Sequence, residues 1–142
     1  MTGGYRKLRA DADSLGSFLG YYLMKPRLAS TLSVEIILNK HLERNTGLVG
    51  SVDYDSEGNR PKSFYIEVDS SQEYRDIMIT LCHEFVHVMQ YATGRLKELV
   101  RHPSFRFDGN YFNCNSDYYK HPWEIEAYNL ENDLYNRWKY GI

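Results

Sequence analysis

A chain of 142 residues, 42% of them hydrophobic, is long enough for one domain with a single core and short for two. Its formal charge of −2 removes any electrostatic case for nucleic acid or an anionic membrane as partner. With only Cys82 and Cys114, both a disulfide framework and a C-x-x-C zinc ribbon are excluded.

The opening Met1-Thr2-Gly3-Gly4-Tyr5-Arg6-Lys7 has no apolar segment behind it, and no apolar run approaches 18 residues. Residues 1–10 therefore read as a loose basic arm, and the protein as a cytoplasmic one that neither spans nor anchors in a membrane. From Asp13, the spacing of Leu15, Phe18, Leu19, Tyr22 and Leu23 predicts a helix with one buried face, ended by Lys25-Pro26. Leu32 to Leu38 reads as a strand, and His41 in the polar stretch that follows as a surface histidine. Leu48 to Tyr54 and Ser63 to Val68 are two more strands. The Gly- and Pro-containing connector between them predicts a hairpin with a mobile tip. Most of the thirteen tyrosines suit half-buried sheet positions.

Next comes His83-Glu84-Phe85-Val86-His87, an H-E-x-x-H pattern. On a helix, positions i and i+4 stand one above the other, so both imidazoles can reach one ion. Glu84, about 100° further round, is placed to act as general base on a water activated by zinc. Ser70 and Glu73 read as a capping box at the start of this helix, and Gly94 as the residue that stops it. Ile77, Met78, Leu81, Phe85, Val88, Met89 and Ala92 form a broad apolar arc, with the two histidines opposite. Cys82, within the same helix, reads as a small core residue.

Beyond Gly94, Phe105 to His121 is rich in aromatic residues and reads as short strands or a loop folded over the metal helix. Pro122 then suits the first turn of a last helix, with a stripe of Trp123, Ala127, Leu130, Leu134 and Trp138. A catalytic zinc site needs a third protein ligand. His102, Glu124 and Glu126 are the candidates. The two glutamates lie about 160° apart on the helix, so both cannot bind one ion. Glu126 shares its side with Leu130 and precedes the small Ala127, which puts it ahead of His102 and Glu124. Tyr118, Tyr119 and His121 are chemically suited to stabilise an oxyanion, and each taken singly reads as structural.

The run from His83 to Ala92, with Gly94 and Leu96 after it and Pro122-Trp123-Glu124-Ile125-Glu126-Ala127-Tyr128 near the end, resembles small metallopeptidase-like proteins of phages and bacteria. The likeness covers roughly residues 63–138. More broadly the chain is similar to gluzincin-type peptidases, and more distantly to SprT-like ones, which generally use a third histidine. The resemblance implies His83, His87 and Glu126 as zinc ligands and Glu84 as base. It also implies action in a host cytoplasm or a virion where the protein is phage-encoded.

The expected architecture is thus a single α+β domain over residues 1–142. It comprises an N-terminal helix, a small, mostly antiparallel sheet of about three strands, the H-E-x-x-H helix, an aromatic connector and a C-terminal helix carrying the third ligand. The expected function is zinc-dependent hydrolysis of peptide bonds in a peptide or protein substrate. The competing reading is a non-catalytic, zinc-stabilised binding module or phage structural module. A metal-dependent hydrolase of non-peptide substrates would share the same residues.

Overall fold

The computed structural model describes residues 2–55, 60–99, 104–113 and 121–142. Eleven elements follow in order: α1 (Thr2–Leu23), α2 (Pro26–Ala29), β1 (Ser33–Asn39), α3 (Leu42–Thr46), β2 (Gly50–Tyr54), β3 (Ser63–Asp69), α4 (Tyr74–Ala92), β4 (Leu96–Leu99), β5 (Ser104–Phe107), β6 (Asn110–Asn113) and α5 (Pro122–Tyr140). This is the expected α+β arrangement, with a second small sheet where the aromatic connector was read.

Helix α1 begins far earlier than the sequence reading placed it, so residues 2–10 are helical and the loose-arm expectation is corrected. The apolar stripe does extend upstream: Leu8 packs on the core, and Ala12, Leu15 and Leu19 are wholly buried. The polar residues of this segment also find partners. Lys7 pairs with Asp11, Arg9 pairs with Asp13 and donates to the Ile36 carbonyl, and Asp11 accepts the Tyr74 hydroxyl at 2.6 Å. Charges spaced i, i+4 support the helix locally, and the contact with β1 fixes it against the body.

The first sheet has the order β1-β3-β2, with β1 parallel and β2 antiparallel to β3. The β2–β3 hairpin is as expected, although its predicted mobile tip falls at residues 56–59, outside the described residues. Alternation in β3 buries Phe64, Ile66 and Val68, and α4 and α1 pack against the sheet. Helix α4 is buried on nearly every side from Ile77 to Ala92. Gly94, at φ +78°, follows its C-cap, where a residue without Cβ is favoured. The predicted capping box does not form. Glu73 itself is the N-cap, without a side-chain cap, and Ser70 lies in the turn after β3, bonded through its N–H to the Asn39 carbonyl. Asp69 organises this turn instead, accepting bonds from the Glu43 and Ser71 backbone N–H groups and from the Ser71 hydroxyl.

The second sheet is an antiparallel meander, β4-β5-β6. Phe107 pairs with Asn110 across a two-residue loop, Asp108-Gly109, in which both residues have positive φ. Asp-Gly with both residues left-handed is a favoured way to close a tight hairpin. Leu96 and Phe107 join Trp123 in a small apolar cluster separate from the main core. Among the described residues, no helix is long and apolar enough to cross a membrane.

Candidate metal centre

Helices α4 and α5 pack together extensively, and the face of α4 opposite its apolar arc is buried against α5. His83 and His87 are therefore only 6% and 7% exposed, although they avoid the hydrophobic stripe. Their rings meet edge to face, with centroids 5.0 Å apart. Both Nε2 atoms point at one oxygen of the facing helix: Glu124 Oε1 lies 2.9 Å from His83 Nε2 and 3.1 Å from His87 Nε2. All three side chains are buried, and their ligand atoms lie within 4.8 Å of one another, close enough to hold a metal ion.

Glu124 thus occupies the place expected of Glu126. Glu126 is turned to the other flank of α5, where Arg95 binds both its oxygens, at 3.0 and 2.8 Å, and Gln90 donates to it at 2.8 Å. The physical reason is the rotation of α5 about its own axis. Trp123 is locked into a ring cluster with Phe105, Phe107 and Phe112, at centroid separations of 5.1, 5.9 and 5.5 Å. Arg95 also grips Asp108 through two bonds of 2.8 and 3.0 Å, tying Glu126 to the β5–β6 hairpin. With both anchors set, the edge carrying Glu124, Tyr128 and Glu131 faces the histidines.

The other nitrogen of each imidazole is also engaged. His83 Nδ1 lies 2.9 Å from Glu131 Oε2, and His87 Nδ1 lies 2.8 Å from Gln90 Oε1. Gln90 is wholly buried and oriented by its amide nitrogen, which donates to the Trp123 carbonyl at 3.0 Å and to Glu126. Partners of this kind fix ring orientation and leave Nε2 to the metal. Tyr128 packs over His83 at 4.5 Å. The sequence reading missed Glu131 and Gln90. A local signal existed for each: Gln90 is i+3 from His87, and Glu131 is two turns beyond Glu124.

Electrostatics follow from this crowding of carboxylates. Burial disfavours the protonated form of His83, but the hydrogen bonds to Glu124 and Glu131 outweigh it and carry its pKa up to about 9. The pKa of His87 is raised in the same way, burial being outweighed by Glu124. Glu84 has its proton affinity raised by burial, against the pull of His87 and His83. It stands beside β2, where Gly50 allows close approach: a Cβ on Gly50 would lie 3.1 Å from Glu84 Oε1 and 2.6 Å from Thr80 Cγ2. Strand β2, an edge of its sheet, therefore runs past Glu84, whereas β3 is the central strand.

His102, Tyr118 and Tyr119, and with them the histidine alternative for the third ligand, lie outside the described residues. His121 is buried, precedes Pro122 as the N-cap of α5 and stacks on Trp123 at 4.4 Å. His41 is exposed, as expected. Cys82 is fully buried, and burial pushes its thiol far above the usual range, so it is an inert core residue. No protein-family model, curated protein or solved structure matches this chain.

Proposed function

We propose that the protein is a zinc-dependent metallopeptidase, with His83, His87 and Glu124 as ligands and Glu84 as general base. The observation that carries this reading is the division of labour on one helix turn: two imidazoles converge with Glu124, while Glu84 lines the cleft without joining them. Two nitrogens and a carboxylate are a donor set suited to catalytic zinc, which uses three protein ligands. Bound zinc supplies Lewis acidity, polarising a carbonyl and making water acidic near neutral pH.

The chain's own residues do the rest. Glu84, made more basic by burial, takes a proton from the attacking water and can return it to the leaving amine. Glu131 and Gln90 hold the imidazoles in the tautomer that presents Nε2. Strand β2 offers an edge along which an extended peptide can pair its backbone. A structural metal site has no use for a carboxylate base in an open cleft, which favours the enzyme over a metal-stapled binding module.

The test is elemental analysis of wild type and Glu84→Gln, with peptide cleavage assayed on both. About one zinc per chain is expected in each, with cleavage confined to wild type. Equal cleavage by Glu84→Gln, or failure of wild type to take up zinc, would sink the proposal.

A further inference from the structure

Resting on that reading of the site, we propose that the substrate carries an apolar or aromatic side chain on one side of the scissile bond and a lysine or arginine on the other. Two cavities, of about 610 and 300 Å³, flank the centre, and Leu48, Gly50 and Glu84 line both. Glu84 therefore stands between the two cavities, where the bond to be cut would lie. His83 faces the larger side, and His87 and Glu124 face the smaller.

The two sides differ in chemistry. Tyr91, Leu96, Phe105 and Trp123 line the smaller cavity, a surface that gains by taking apolar area out of water. The larger cavity also has apolar wall, from Val49, Ile79 and Tyr128, but adds Glu43, Asp76 and Glu131; among the described residues no lysine or arginine lines either cavity. Glu131 is engaged by His83, but Glu43 and Asp76 are exposed. These two arrive from different elements, the start of α3 and the first turn of α4. Carboxylates lining a cleft from separate elements attract a cationic side chain and repel an acidic one, a selectivity that salt weakens.

Binding to the zinc-loaded Glu84→Gln protein tests this independently of turnover. The probes are two fluorescent peptides of equal length with one central phenylalanine, differing only in arginine or glutamate on each side of it. At low salt, the arginine peptide is expected to bind at least about tenfold more tightly. In the Glu43→Gln/Asp76→Asn double variant, with zinc content unchanged, the ratio should fall to about threefold or less, in keeping with exposed pairs. Equal binding of the two peptides, or an undiminished ratio in the double variant, overturns the inference. Discriminating binding, together with no cleavage of the arginine peptide by wild type, would instead count against the peptidase reading and leave the groove's selectivity standing.

Discussion

Glu124 Oε1 lies within hydrogen-bond reach of both Nε2 atoms, so replacing this residue disturbs both histidines at once. Glu124→Ala should weaken zinc binding by more than about 100-fold, beyond the range for residues that only support a ligand. Glu126→Gln, which acts through Gln90, should cost about tenfold or less. Competition with a chromophoric chelator measures both, and a reversed order would restore Glu126 as the ligand. Protonation gives a second check. In the metal-free protein both His83 nitrogens face carboxylates, which keeps the ring cationic up to about pH 9. Metal uptake at pH 7 should therefore release at least about one proton, with His87, whose pKa is also raised, adding to it; calorimetry in buffers of different ionisation heat reads the release, and no buffer dependence would contradict it. Because the folded pKa lies above the ordinary 6.5, the stabilisation from His83 is fully present below about pH 6.5. It is lost as pH rises through about 9, so unfolding of the metal-free protein should become easier over that interval. The pairing of His83 with His87 was legible in sequence because its geometry is internal to one helix. The choice between Glu124 and Glu126 was not, because it depends on how α5 is rotated against a neighbour.

That rotation is set by the small sheet. Strands β4 to β6 hold Trp123 among Phe105, Phe107 and Phe112, at the first turn of the helix that carries Glu124. Trp123→Ala should cost about 3–5 kcal/mol of stability. It should also weaken metal binding although Trp123 touches no metal, a pairing seen by comparing chemical denaturation with metal titration. Gly50 shows the complementary effect on β2. The nearest atoms to a methyl group there belong to Thr80 and Glu84, so on the proposed reading Gly50→Ala should retain zinc while turnover falls on the order of 100-fold. Retained turnover would mean that β2 can shift without disturbing the base. At this scale α4, α5 and β3 were readable from periodicity. The Asp108-Gly109 hairpin lies where the sequence reads as short strands or a loop; four-residue strands carry too little alternation to decide between the two. The first ten residues misled for a different reason: their charges suggested solvent, while Leu8 and Ala12 continued the stripe of α1.

Across the whole molecule, the three side chains that could hold an ion come from two helices that are distant in the chain. Glu124 lies 41 residues from His83 and 37 from His87. An ion held by all three closes a long loop in a protein that carries only two cysteines, one of them the buried, free Cys82. Its effect on the unfolded ensemble resembles that of a cross-link, with the difference that its strength is set by concentration. At free metal about 100 times the dissociation constant, the folded state gains about 2.7 kcal/mol. The midpoint of thermal unfolding should accordingly climb with the logarithm of free zinc and drop on chelation. Tolerance of this fold to heat, and to mutations elsewhere in its core, would then be governed by the metal supply of whatever compartment holds it.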